Sequence, residues 1–160
     1  MYYANPDFNL FKKNYLKKSV SASIIAPYSR QQIFRVISDP QLHSSFDGSG
    51  TVQGLATGSK LMGVGDSFKA KMRMWGIRYS VKSTVVEFDQ DRLIAWAHLG
   101  KHRWRYELED MPDGTKITET FDWSYSIFPR VIELAGYPES HPENMEKTLV
   151  SLVKFLADND

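Results

Sequence analysis

The sequence predicts an α+β domain in which a strongly curved antiparallel sheet of six to seven strands grips one long C-terminal helix. From residue 51 to residue 124, short apolar or alternating stretches are separated by turn residues, which is typical of antiparallel strands. Residues 140–157 instead repeat apolar side chains at helical spacing and therefore form an amphipathic helix. Such a helix needs a broad apolar partner surface, and a sheet is the partner that the preceding chain offers.

Composition is that of an ordinary globular protein. The chain has 160 residues, 42% of them hydrophobic and 24% charged, which is enough for one domain with a substantial core. The formal net charge of +1 gives no general attraction to nucleic acid, so no nucleic-acid partner is expected. The lack of cysteine excludes disulfides and thiolate chemistry. Neither a signal core nor a run of transmembrane length occurs, and we expect a cytoplasmic protein without stable membrane insertion.

Residues 1–18 are predicted to be an N-terminal arm, and residues 19–160 a single domain. After an Asn-Pro-Asp helix start, Phe8, Phe11 and Tyr15 fall on one face and lysines follow. The arm packs its aromatic rings on the body of the protein or on a second subunit; the alternative is a basic amphipathic helix that touches an anionic membrane. For the oligomeric state, the sequence is compatible with a monomer and with a homodimer.

One strand and one or two short helices come before the hairpins. Residues 20–26 alternate as a strand does, and Ser29-Arg30-Gln31-Gln32 has the form of a capping box that starts a helix. Asp39-Pro40 ends that helix. Residues 41–45 form one more helical turn, and the glycines that follow predict a loop over 46–50.

The remaining strands are predicted from alternation and from turn residues between them. They cover residues 51–56, 67–74, 77–88, 93–99, 103–109 and 115–124. Gly76 and Pro112-Asp113-Gly114 mark two of the reversals. A connection over 126–136 then leads to the long helix.

The long helix is predicted from its apolar stripe and its start signals. Ser140 is a suitable N-cap, and Pro142 suits a first turn because its φ angle is already helical. The stripe consists of Met145, Leu149, Leu152, Val153 and Leu156. Burial of these five side chains contributes roughly 1.5–3 kcal/mol each.

An ordered series of short stretches runs over roughly residues 20–157. They are Ile25-Ala26-Pro27, Ser38-Asp39-Pro40, His43, Asp47-Gly48-Ser49-Gly50, Val64-Gly65-Asp66-Ser67-Phe68, Val85-Val86-Glu87-Phe88, Arg92-Leu93-Ile94-Ala95-Trp96 and Thr118-Glu119-Thr120-Phe121-Asp122-Trp123-Ser124. In this order they resemble the START-like, or SRPBCC, helix-grip superfamily and, within it, the polyketide cyclase/dehydrase and lipid transport group. The resemblance implies a cavity between sheet and long helix that holds an apolar or aromatic small molecule. Because the superfamily contains carriers, enzymes and a co-chaperone domain, fold constrains function weakly.

Glu119 is the first candidate for chemistry in such a cavity. Strict alternation places it on the same face as Ile117, Phe121 and Trp123, so its side chain points inward. Desolvation of the carboxyl group raises its pKa toward values that suit a general acid or base. The alternatives are a bulge that turns it outward, or a pairing with Tyr79 or an arginine.

His43 and Asp47 form the second candidate catalytic pair. Histidine carries protons near neutral pH, and an aspartate four residues later can orient the ring. The alternative is that both cap backbone groups in a turn, as an aspartate before glycine often does. Neither His98, His102 nor His141 has the paired spacing of a metal motif, so no metal site and no cofactor are predicted.

The cavity walls are predicted to be aromatic rings, methionines and apolar residues of the helix, with Tyr79, Glu119 and Arg78 as polar anchors. The predicted ligand-binding residues are Phe68, Met72, Met74, Tyr79, Trp96, Trp104, Tyr106, Phe121, Trp123, Met145, Leu149 and Leu152. Three functions are open. The protein carries or senses a lipid or polyketide-like molecule, or it is a cyclase/dehydratase-type enzyme that uses Glu119 or His43 for proton transfer. The third reading is a protein-interaction module of co-chaperone type.

Overall fold

The fold is a six-stranded antiparallel sheet with the strand order β1-β6-β5-β4-β3-β2, seen in a computed structural model that describes residues 18–54 and 56–159. The predicted N-terminal arm lies outside the described residues except for Lys18. The strands are β1 (Ser19–Ala26), β2 (Ser67–Met74), β3 (Ile77–Asp89), β4 (Leu93–Ala97), β5 (Arg103–Met111) and β6 (Gly114–Asp122).

The helices lie between β1 and β2 and after β6. They are α1 (Arg30–Ile37), a 3-10 turn (Pro40–Leu42), α2 (His43–Phe46), α3 (Pro129–Leu134) and α4 (Tyr137–Asp158). The predicted capping box is present, because the Ser29 hydroxyl accepts a hydrogen bond from the backbone of Gln32 and the Gln32 side chain bonds back. Within the described part of the chain, no helix has both the length and the hydropathy that crossing a bilayer requires.

Alternation along the strands determines which side chains face α4. In β6, Thr115, Ile117, Glu119 and Phe121 are buried and their neighbours are more exposed. Leu152 and the other residues of the predicted stripe on α4 meet this face. The structure confirms the predicted fold of a curved antiparallel sheet that grips a long C-terminal helix, with short helices after the first strand.

The prediction of a strand over residues 51–56 is wrong. The described residues of this segment make only isolated bridges to the edge strand β2, between Val52 and Met72 and, just beyond it, between Thr57 and Lys69. Gly54 has a φ angle of +63°, which interrupts an extended backbone. The segment therefore follows the edge of the sheet without joining it as a strand.

The predicted start of the long helix is also wrong. The helix begins at Tyr137 after Gly136, whose φ angle is +73°, and the backbone N–H of Ser140 already donates to the Gly136 carbonyl at 3.2 Å. Pro138 occupies the first turn, which is the position expected of Pro142. Pro142 lies inside the helix, where its missing N–H leaves one intrahelical bond unmade.

Candidate ligand-binding cavity

A cavity of about 700 Å³ lies between the concave face of the sheet and the first half of α4. The structure places nine of the twelve predicted ligand-binding residues on its wall. They are Phe68, Met72, Met74, Tyr79, Trp96, Trp104, Tyr106, Phe121 and Met145. The three predicted catalytic residues line the cavity as well.

Trp123, Leu149 and Leu152 lie elsewhere, in the packed core. The indole N–H of Trp123 donates to the carboxylate of Glu133 at 3.0 Å, which holds the ring under α3. Leu149 and Leu152 follow Met145 by one and two turns of α4, at a depth where helix and sheet are in contact. The predicted anchor Arg78 is exposed and lies outside the cavity wall.

Glu119 points into the cavity, as alternation predicts, and only 4% of it is exposed. Burial raises the pKa of its carboxyl group to about 8, and the negative charge of Asp47 contributes to the rise. A hydrogen bond from the hydroxyl of Tyr106, directly opposite on β5, lowers this pKa in part. Its Oε2 is buried without a hydrogen-bond partner among the described residues. At neutral pH the carboxyl group is mostly protonated, so it has a hydrogen bond to donate into an apolar space.

His43 is a buried, neutral histidine on the same cavity wall. Its Nε2–H donates to the carbonyl oxygen of Ile37 at 2.8 Å, which leaves Nδ1 as the acceptor of the ring. The imidazole stacks on Trp96 with 5.1 Å between ring centroids and 22° between planes. Burial lowers its pKa, and the bond to Ile37 opposes that shift only in part. The ring is therefore fixed in position and neutral, with Nδ1 free to accept a hydrogen bond.

Asp47 holds the loop after α2. Its two carboxylate oxygens accept hydrogen bonds from the backbone and the hydroxyl of Ser49 and from the backbone N–H of Val52. Gly48 donates in turn to the Thr148 hydroxyl of α4 at 2.9 Å. The structure thus places Asp47 beside the cavity as a loop-ordering group, and its negative charge reaches Glu119 and His43 through space.

Three histidines, for which the sequence predicts no metal site, lie together at the other end of the cavity. His98, His102 and His141 all line the cavity and are partly buried. The ring of His141 lies parallel to that of Tyr137, with 5.3 Å between centroids, and its edge meets Phe121 at 4.4 Å. Burial lowers the pKa of His141 to about 4, and the nearby His102 adds to the shift.

His98 is neutral for the same reason. Burial and the neighbouring His102 lower its pKa to about 4, and its Nδ1 shares a hydrogen bond of 2.8 Å with the Ser83 hydroxyl. The described residues contain no group of three or more histidine and carboxylate side chains placed to hold a metal ion. A signal for these positions existed in the sequence, because His98 shares its parity with Trp96 and His141 precedes Met145 by one helical turn.

Comparison with known proteins places this architecture in a family. Uncharacterized protein Rv0088 of Mycobacterium tuberculosis is 34% identical over 139 residues, which are 83% of this chain; the chain spans 62% of the length of that relative. Protein NE0264 from Nitrosomonas europaea shares the fold with a TM-score of 0.68 at 13% identity, over 89% of this chain and 96% of its own. The AHSA1-like protein from Aeromonas hydrophila also shares the fold, with a TM-score of 0.62 at 16% identity, over 88% of this chain and 93% of its own.

The model of one family matches residues 17–156, which include the whole sheet, both cavity ends and most of α4. The chain therefore belongs to the polyketide cyclase/dehydrase and lipid transport family, within the START-like (SRPBCC) helix-grip superfamily.

Proposed function

We propose that the protein binds a small, mainly apolar or aromatic molecule of lipid or polyketide-like character in the cavity between the sheet and α4. The observation that carries the proposal is the cavity of about 700 Å³ in a protein of this size. Protein interiors normally pack without voids larger than a water molecule. The volume lies in the range of small-molecule sites, which bury most of their ligand.

The polar groups of the wall support a ligand that carries oxygen atoms. Protonated Glu119 offers a hydrogen bond to a carbonyl or hydroxyl oxygen, and Nδ1 of His43 accepts one from a hydroxyl group. At the other end His98 and His141 are neutral, so they also bind by hydrogen bonds and do not attract an anion by charge. The aromatic rings between the two ends favour a planar or apolar body.

The interaction-module reading is less well supported than a ligand-binding role. A module that works through its surface needs a closed core, whereas here the space between sheet and helix stays open.

The binding proposal is tested by filling the cavity. Ala70 lines it and is 8% exposed, so Ala70→Trp places an indole where the ligand binds. We expect the affinity for the neutral fluorescent probe N-phenyl-1-naphthylamine to fall at least about tenfold. Ala157→Trp, the same change at an exposed position on α4, is the control and should bind the probe as the wild type does. Equal affinity in both variants would show that the probe does not occupy the cavity and would remove the proposal.

A cyclase/dehydratase-type enzyme is the second candidate, and the raised pKa of Glu119 is the observation that favours it. A carboxyl group with a pKa of about 8 exchanges protons readily near neutral pH. In a dehydration, Glu119 donates its proton to a departing hydroxyl group, which leaves as water. Nδ1 of His43 takes the proton from the adjacent carbon as the double bond forms.

Turnover of a poly-carbonyl test substrate separates enzyme from carrier. Glu119→Gln keeps the shape and the hydrogen-bonding capacity of the side chain but cannot give up a proton as an acid. An enzyme of this type loses about 10²- to 10⁴-fold in kcat in the variant, with probe affinity within a few fold of wild type. Unchanged turnover would exclude Glu119 from the mechanism.

A further inference from the structure

Three protrusions surround one end of the cavity, and each carries an exposed apolar side chain at its tip. Trp75 in the β2–β3 turn is 87% exposed, Leu99 in the β4–β5 turn is 93% exposed, and Leu134 at the end of α3 is 89% exposed. Trp75 and Leu99 also line the cavity, so the cavity opens between them. We call Trp75, Leu99 and Leu134 the apolar rim.

Two contacts hold these protrusions together. The backbone N–H of Ile127, in the segment before α3, donates to the carbonyl of Gly100 in the β4–β5 turn at 3.2 Å. The hydroxyl of Tyr137 at the start of α4 donates to the sulfur of Met74 at the end of β2, at 3.8 Å. The apolar rim is thus one continuous end of the molecule. Clustering of this kind marks a docking surface, whereas singly scattered apolar residues do not.

The backbone of the β2–β3 turn is strained at Trp75, the residue that it exposes. Trp75 and Gly76 form a two-residue turn with φ angles of +49° and +80°, the signs of a type I′ turn. Such a turn prefers asparagine, aspartate or glycine at its first position, and a bulky aromatic residue there is an outlier. Nothing in the packing compensates for this, because the indole is exposed. Strain of this kind is typical of functional positions.

Basic side chains accompany each part of the apolar rim. Arg73 and Arg78 are paired directly across the β2–β3 hairpin, Lys101 follows Leu99, and Arg130 lies on α3. All four are exposed, and none is in the ion pairs found within the described residues. We call them the rim cations. Two like charges directly opposite each other destabilise a hairpin unless an anion lies between them.

The acidic side chains at this end lie on β6, α3 and α4 and not on the β2–β3 hairpin. Asp122 accepts a hydrogen bond from the backbone of Ser124, and Glu133 accepts one from the indole of Trp123. Glu139 stands on the first turn of α4. The hairpin itself has no acidic residue between Ser67 and Val86, so the charge next to Trp75 is positive.

We propose that the apolar rim and the rim cations dock the protein on a bilayer that contains anionic lipids, with the opening of the cavity facing the membrane. Tryptophan prefers the interface between headgroups and hydrocarbon, and arginine and lysine bind lipid phosphates beside it. A second copy of the chain fits the surface less well. In a two-fold dimer the same patch meets itself, so the rim cations of both copies would face one another. Docking needs no transmembrane helix and does not depend on what the cavity holds.

Flotation of the full-length protein with vesicles tests the proposal. Phosphatidylcholine vesicles with phosphatidylserine should bind it, vesicles of phosphatidylcholine alone should bind it far less, and added salt should release it. The double variant Arg73→Gln with Arg78→Gln should bind roughly 25-fold more weakly, about fivefold for each charge removed. Lys60→Gln, in the exposed loop before β2 at the opposite end of that strand, should leave binding unchanged.

The apolar contribution is tested separately. Leu134→Ser should weaken binding roughly tenfold, and Val64→Ser, which alters an exposed apolar side chain before β2, should not. Neither Leu134 nor either arginine lines the cavity, and thermal melts and sedimentation velocity show whether the variants keep the fold and the oligomeric state of the wild type. Binding that is equal for neutral and anionic vesicles, or unaltered by both rim variants, would overturn the proposal. A dimer of the wild type that Leu134→Ser dissolves would overturn it in favour of a homodimer interface.

Discussion

Replacing Glu119 with glutamine is expected to change how the stability of the protein depends on pH. The carboxyl group has a pKa of about 8 in the folded protein, against an ordinary value of 4.5, because burial penalises its charge. Between these two pH values the unfolded chain is ionised at this position while the folded chain keeps its proton. Stability that is fully present below pH 4.5 is therefore lost as the pH rises toward 8. At about 1.4 kcal/mol per unit of pKa, the loss is roughly 3 kcal/mol at pH 7 and roughly 5 kcal/mol at pH 8 and above.

Glutamine does not ionise, so the variant lacks this loss. Urea unfolding of wild type and Glu119→Gln at a series of pH values from 4.5 to 8.5 should show a difference in unfolding free energy that grows with pH in favour of the variant. Glu109→Gln, on an exposed position of β5, is the control and should follow the wild type. A difference between wild type and Glu119→Gln that stays constant within about 0.5 kcal/mol over this range would refute the reasoning, because Glu119 would then not be held protonated.

The pH dependence of stability that His98 causes runs in the opposite direction. Its pKa of about 4 lies below the ordinary 6.5, so roughly 2–3 kcal/mol of stability is lost as the pH falls from 6.5 to 4. His98→Asn should remove that loss in the same titration, and an unchanged slope would contradict it. Leu152→Ala leaves a hole in the packed core and should cost about 2–5 kcal/mol of unfolding free energy, measured in urea, without weakening probe binding. In Gly48→Ala the new Cβ would overlap the carbonyl oxygen of Asn144 and the backbone of Thr148. We therefore expect the variant to lose about 2 kcal/mol or more of unfolding free energy, measured in a thermal melt. A variant as stable as the wild type would show that the loop after α2 moves freely away from α4.

The sheet and most of its inward face follow from the sequence because the side-chain period of a strand is strict. Once Phe68 and Phe121 are assigned to buried parity, their neighbours on the same strands must alternate with them. The inward orientation of Glu119 rests on the same rule, since β6 pairs without a bulge along its length. The alternating pattern of the strands does not predict how the sheet curves. Curvature decides that Met145 meets the cavity while Leu149, on the same stripe, meets packed core.

The failures of prediction have local causes. Residues 51–56 have enough β-branched and apolar character for a strand, but Gly54 and the turn around Asp47 divert the backbone before a ladder forms. Ser140 resembles an N-cap, yet Pro138 supplies an equally good first-turn signal earlier in the chain. His98 looks like a turn residue because it stands two positions before Gly100, although it shares its parity with Trp96, and in the folded sheet its ring turns inward.

The division of α4 into two halves has a consequence for how the protein varies between species. His141 and Asn144 line the cavity and lie outside the hydrophobic core clusters, whereas Leu152 and Leu156 belong to the packed core and lie outside the cavity wall. Substitutions in the first half can therefore accumulate under selection for a new ligand with little penalty in folding. Substitutions of core residues in the second half are expected to destabilise the fold whatever the ligand is. A single helix thus separates the evolution of specificity from the maintenance of the fold.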